Sequence, residues 1–137
     1  MRPDDGRVVT NFLVQAINNE PITIYGDGSQ TRSFCYISDM VNALIAMINS
    51  PVQVTGPINL GNPSEFSMHQ LAQLVIKITD SSSTIVYLPL PLDDPKQRKP
   101  DISLAKNQLN WSPEVDLEIG LLETYRDISV KLRSVSD

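Results

Sequence analysis

Pro21-Ile22-Thr23-Ile24-Tyr25-Gly26-Asp27-Gly28-Ser29-Gln30-Thr31-Arg32-Ser33-Phe34 is the stretch on which the reading of the fold turns. Ile22 to Tyr25 is a β-branched and aromatic run, the composition of a short strand. Gly26-Asp27-Gly28-Ser29 follows, made of residue types that tolerate the backbone of a tight turn. Thr31 to Ile37 is predicted to be a second short strand. A pyrophosphate cradle requires something else: a strand, a glycine-rich turn, then a helix whose first amides face the phosphates. Gly26 and Gly28 lead from strand to strand, and no other such turn occurs in the sequence.

Upstream, Val8, Val9, Phe12, Leu13, Ala16 and Ile17 recur at helical spacing and predict a helix over 7–18, stopped by Asn18-Asn19-Glu20-Pro21. Downstream, Ser38 and Asp39 offer cap oxygens to a helix. Its Met40, Val41, Leu44, Ile45, Met47 and Ile48 predict a wide buried face. Pro57 to Leu60 is a predicted strand ending at Gly61. Ser67 with Gln70 reads as a capping box opening a helix to Thr79, with Leu71, Leu74, Val75 and Ile78 as its apolar stripe. Thr84 to Leu88 is a further predicted strand, and Pro89 to Pro100 a long charged loop. Asp101 and Asp116 are predicted caps of helices reaching Leu109 and Leu132. The class is α/β, or α+β for the chain in isolation, as a single domain over 1–137.

Composition narrows the function. Of 137 residues, 41% are hydrophobic and 20% charged, which suits a globular domain. Net charge is −5, with 11 basic residues scattered along the chain. Nucleic-acid binding would need a basic stripe and is not expected. No apolar run reaches a membrane-spanning length, so a cytoplasmic protein without a membrane partner is expected. One cysteine and one histidine make a poor metal set. Cys35 is expected to pack as a small apolar residue, Trp111 as a structural plug, and His69 to have no catalytic part.

Several blocks, in order, resemble one family: Asp5-Gly6-Arg7-Val8-Val9, the 21–34 stretch, Tyr36-Ile37-Ser38-Asp39, Asn59-Leu60-Gly61-Asn62-Pro63, Asp93-Asp94-Pro95-Lys96-Gln97-Arg98-Lys99-Pro100-Asp101-Ile102, Ala105-Lys106 and Leu109-Asn110-Trp111. They resemble the C-terminal stretch of UDP-glucuronate decarboxylases, extended short-chain dehydrogenases of the NAD-dependent epimerase/dehydratase superfamily. The YGDG turn and the arginine after it are shared across that superfamily, whereas the DDPKQRKPD block favours the decarboxylase branch.

The resemblance implies a substrate-binding portion without the complete Rossmann domain. Thr23, Ile24 and Tyr25 would flank a uracil, with Val8 also on the substrate side. Arg32 would reach the diphosphate, where a guanidinium bridges two oxygens, and Gln30 would share its face on a strand. Asp94 would meet the ribose, Arg98 the glucuronate carboxylate, and Arg2 and Arg7 the phosphates of NAD. The plainer readings make Arg32 a surface strand residue, Arg98 a solvated loop residue, and Arg2 and Arg7 exposed terminal charges.

In the resembled enzymes the sugar is oxidised at its 4-position, loses carbon dioxide and is reduced again, with NAD carrying the hydride. Their base is a tyrosine with a lysine four residues later. Tyr25, Tyr36, Tyr87 and Tyr125 are followed at that spacing by Ser29, Met40, Pro91 and Ser129. The implied base and dinucleotide fingerprint therefore belong to an N-terminal NAD-binding domain absent from this sequence, and the chain alone is expected to be inactive. UDP-sugar, that missing domain and further copies of the chain are the expected partners. A non-catalytic binding module, a dTDP-glucose dehydratase and a UDP-sugar epimerase are the alternatives. An apolar face around Val9, Phe12 and Leu13 is expected to be left open for the missing domain.

Overall fold

A computed structural model of the protein describes residues 1–89 and 97–135. In chain order the elements are α1 (Val8–Ile17), β1 (Ile22–Tyr25), β2 (Thr31–Ser33), α2 (Ile37–Ile48), β3 (Glu65–Ser67), α3 (Met68–Thr79), β4 (Ile85–Leu88), β5 (Gln97–Arg98), α4 (Ser103–Leu109) and α5 (Leu117–Val135). Among the described residues β1 pairs in parallel with β4, while β2 lies between antiparallel β3 and parallel β5.

The main core is three helices closed over β1. Phe12, Leu13 and Ala16 of α1, Leu71, Ala72 and Val75 of α3, and Leu121 and Ile128 of α5 bury against Ile22 and Ile24. Each fully buried Leu or Ile contributes about 1.5–3 kcal/mol. The capping box of α3 is formed as its sequence requires: Gln70 N donates to Ser67 Oγ at 3.1 Å and Ser67 N to Gln70 Oε1 at 2.8 Å. A smaller cluster gathers Ala43 of α2, Ala105 of α4, Ile102 and the plug Trp111.

The apolar face of α1 expected to lie open is core instead, because α3 and α5 cover Val9, Phe12 and Leu13. The open face belongs to α2. Only Asp39 and Ala43 of that helix are buried, while Leu44 and Ile45 are each 50% exposed and Ile48 is 82% exposed. Nor does Asp39 cap its own helix, which starts after Tyr36 with no side-chain cap. Its buried carboxylate accepts the Val115 amide at 3.0 Å and so fixes the approach to α5.

Other boundaries shift. β2 ends at Ser33, short of the predicted Ile37, and Pro57–Leu60 is irregular because no strand among the described residues pairs with it. Ile58 and Leu60 pack under Trp111 instead. Asp101 accepts both Ser103 N and Ser103 Oγ, at 2.9 and 2.5 Å, just ahead of α4. Around Asp116 the start of α5 is tied by the backbone, Gly120 N donating to Asp116 O at 3.0 Å. The last helix runs to Val135, past the predicted Leu132.

The open face of α2 predicts that the isolated chain self-associates. Leu44→Glu with Ile45→Glu should lower the apparent mass in analytical ultracentrifugation and change stability by less than about 0.5 kcal/mol. A monodisperse monomer of the unaltered chain at high concentration would contradict this.

Candidate functional site

Backbone direction at β1 defines the first part of the site. Ile22 N and Gly26 N donate to Thr84 O and Leu88 O of the neighbouring chain segment, at 2.8 and 2.7 Å. Peptide groups alternate sides along a parallel ladder, so those of Thr23 and Tyr25 face the opposite, open edge. Thr23 N indeed donates outward, to Gln15 Oε1 at 3.2 Å, and Gln15 Nε2 donates to Thr23 Oγ1 at 3.2 Å. Gln30 Nε2 donates to the Tyr25 carbonyl. The Tyr25 side chain is half exposed.

The turn after β1 is held from both sides. Asp27 Oδ1 accepts Ser29 N and Ser29 Oγ at 2.9 and 2.6 Å. His69 N and Met68 N, from the start of α3, donate to Gly28 O and Gln30 O at 3.2 and 3.1 Å. His69 Nδ1 lies 2.8 Å from Tyr87 Oη, so the histidine is a structural partner of β4. Gly28 has φ +78°, and a Cβ there would sit 3.3 Å from Tyr87 Cε1.

Across the second sheet, Arg32 of β2 and Arg98 of β5 are direct register partners. Like charges placed opposite each other destabilise a sheet unless an anion lies between or near them. Arg32 is half-buried and donates from Nη1 to Thr31 O at 2.8 Å. Glu65 on β3 accepts from Thr31 Oγ1 at 2.9 Å and meets Lys99 Nζ at 3.4 Å, which ties this sheet together. Beside Arg98 opens a cavity of about 430 Å³ lined by Ser33, Cys35, Asn62 and Lys99 among others, with Arg32 outside its lining. That is the size range of small-ligand sites. Ser33 Oγ is buried with no hydrogen-bond partner among the described residues. Gly61 closes this cavity tightly, since a Cβ on it would lie 2.9 Å from Pro100 Cγ.

The structure therefore brings Thr23, Tyr25 and Gln30 to one strand edge and sets Arg32 in register with Arg98. Ile24 itself points into the core. Gln30 lies just before β2 with its amide turned to Tyr25, so the expected shared strand face with Arg32 gives way to that bond. Val8, Arg2 and Arg7 stay with the N-terminal turn: Val8 packs on the core, and Arg7 N donates to Asp5 Oδ1 at 3.0 Å. Asp94 lies outside the described residues. Gln15, Ser33 and Asn62 were missed, since nothing in the sequence tells a glutamine on a helix flank from a solvated one. A larger cavity, of about 610 Å³, lies among the ends of α1, α3 and α5 near Tyr125 and Arg133, and no sequence-predicted residue lines it.

Gly26 and Gly28 join β1 to β2, and the amide-bearing end of α1 is capped by exposed Arg7 instead of a glycine turn. No helix among the described residues is long and apolar enough to cross a membrane.

Comparison with known proteins shows what the chain is similar to. The family model "NAD dependent epimerase/dehydratase family" matches residues 1–61. The fold is that of part of such an enzyme: UDP-glucuronic acid 4-epimerase from Bacillus cereus, solved with UDP-glucuronic acid and NAD, superposes with a TM-score of 0.84 at 34% identity, over 95% of this chain and 41% of that one. In sequence the chain matches a fragment of UDP-glucuronic acid decarboxylases. It is 54% identical to UDP-glucuronic acid decarboxylase 1 of Arabidopsis thaliana over 90% of its own length and 28% of the relative's. Against UDP-glucuronic acid decarboxylase 1 of Danio rerio the figures are 48%, 96% and 31%. The chain thus spans about a third of the length of these relatives.

Two results are expected here. Gly28→Ala should destabilise the chain by about 1–3 kcal/mol in denaturant unfolding, because its positive φ strains any side chain. Burial, and then the Asp39 carboxylate, push the Cys35 thiol above its ordinary pKa. Iodoacetamide at pH 8 should therefore alkylate it more slowly than a free cysteine, and equal rates would contradict that burial.

Proposed function

We propose that this chain is the nucleotide-sugar-binding part of a UDP-glucuronate decarboxylase-type enzyme. The observation that carries the reading is a ligand-sized cavity lined by Arg98, whose register partner in the sheet is Arg32. Two guanidiniums in register suit an anionic ligand, and a nucleotide sugar with an acidic hexose offers two separate anions. Arg32 takes the diphosphate and Arg98 the sugar carboxylate, each by paired, charge-assisted hydrogen bonds. The open edge of β1 takes the uracil, whose ring offers flat donor and acceptor edges to the peptide groups of Thr23 and Tyr25. Asp94 contributes to the ribose.

Sequence likeness to the decarboxylases supports the branch. The fold likeness to a UDP-glucuronic acid 4-epimerase supports an acidic sugar in either branch.

Hydride transfer and the catalytic base belong, on this reading, to an N-terminal NAD-binding domain seated against the exposed apolar face of α2. Arg2 and Arg7 lie at the chain's start and reach toward its cofactor phosphates. The chain alone binds and does not turn over. Its tasks are to hold the base, neutralise the diphosphate and orient the carboxylate that leaves as carbon dioxide. The complete enzyme is a cytoplasmic homo-oligomer.

Arg98→Ala in the complete enzyme tests the assignment. Affinity for UDP-glucuronate should fall at least about tenfold, as expected for a lost charged hydrogen bond, with UDP-glucose little affected. Equal loss for both sugars would remove the carboxylate role.

A further inference from the structure

The open edge of β1 presents its outward groups in a fixed order: Thr23 N–H, Thr23 C=O, Tyr25 N–H, Tyr25 C=O. Left bare, such an edge accepts ligands or peptide strands in more than one register, because donor and acceptor simply alternate. Here the two outer groups are already taken. Gln15, from α1, accepts the Thr23 amide with Oε1 and holds the threonine hydroxyl with Nε2, both at 3.2 Å. From the turn before β2, Gln30 donates Nε2 to the Tyr25 carbonyl. Among the described residues no partner is recorded for the middle two, Thr23 C=O and Tyr25 N–H.

We infer that Gln15 and Gln30 are positioning residues that bracket this edge, leaving one acceptor followed by one donor for the base of the nucleotide. The inference rests on the proposed nucleotide reading and adds to it a source of base selectivity. Each outer group, if free, would pair with its neighbour in the reverse order, donor then acceptor. With the diphosphate fixing the direction from which the base enters, the order of groups decides which base edge fits. Uracil offers an N3–H donor beside a carbonyl acceptor. Cytosine offers an N3 acceptor beside an amino donor, the opposite order. The bracket admits the first and removes the two registers that would suit the second. Neither glutamine needs to touch the base for this, and a missing one reopens the edge without removing a ligand contact.

Amide hydrogen exchange and nucleotide titration of the same 15N-labelled chain test the bracket. In the unaltered chain the Thr23 amide should exchange slowly and the Tyr25 amide fast. Gln15→Leu should make Thr23 fast and reduce the preference for UDP over CDP about tenfold, the worth of a single hydrogen-bonded discrimination. Gln15→Glu keeps an acceptor for the amide and should restore both. Gln30→Leu, on the surface turn, should loosen selectivity with Thr23 still slow, so the test survives if Gln15→Leu fails to fold. A fast Thr23 amide in the unaltered chain would overturn the bracket. So would an unchanged UDP-to-CDP ratio in folded Gln15→Leu. A slow Thr23 with no preference for UDP in the unaltered chain would instead overturn the nucleotide reading, and base selection with it, leaving only the hydrogen-bond frame.

Discussion

Among the described residues the parallel ladder between β1 and β4 runs along one side of β1 only, and much of the molecule follows from that. Ile22 and Ile24 sink into the core under α1, α3 and α5, which fixes the strand's height and rotation. With those side chains anchored, the peptide groups of Thr23 and Tyr25 have to face away from β4. Buried backbone groups demand partners, and the chain supplies two of them through glutamine side chains. The glycine turn is then gripped by the first amides of α3, so strand, turn and helix start form one rigid corner.

The second sheet meets this corner with charge. Setting Arg32 opposite Arg98 brings two like charges into register, an arrangement that an anion nearby stabilises. Glu65 is already engaged by Thr31 and Lys99. On the proposed reading, two cations held in register lower the reorganisation needed when a doubly anionic ligand arrives. Buried Asp39 plays the opposite part, neutralising a backbone donor far from solvent to hold the α2–α5 junction.

Legibility in the sequence varied with how local the physics was. The capping box at Ser67 and the β-branched run at 22–25 are short-range devices, and both formed where their residues stand. Burial is a long-range property and was misplaced. The pattern in α1 and the pattern in α2 are equally apolar, yet one is core and the other lies open. Periodicity says that a face wants cover without saying whether this chain provides it. The same limit explains Pro57–Leu60, apolar enough for a strand but without a pairing neighbour among the described residues. Arg32 and Arg98 were legible only through resemblance. Their adjacency is a matter of sheet register across 66 residues, which spacing alone does not reveal. Gln15 was illegible because its role depends on which peptide of β1 lies over it.

On the proposed reading, one nucleotide-sugar site runs from the open edge of β1 to Arg32 and Arg98. Its most direct measurement is an NMR titration of the labelled chain with UDP-glucuronate. Shifts are expected at Tyr25, Arg32 and Arg98 together, saturating with one constant. Shifts confined to the cavity near Tyr125 and Arg133, or none at β1 when Arg98 moves, would contradict it.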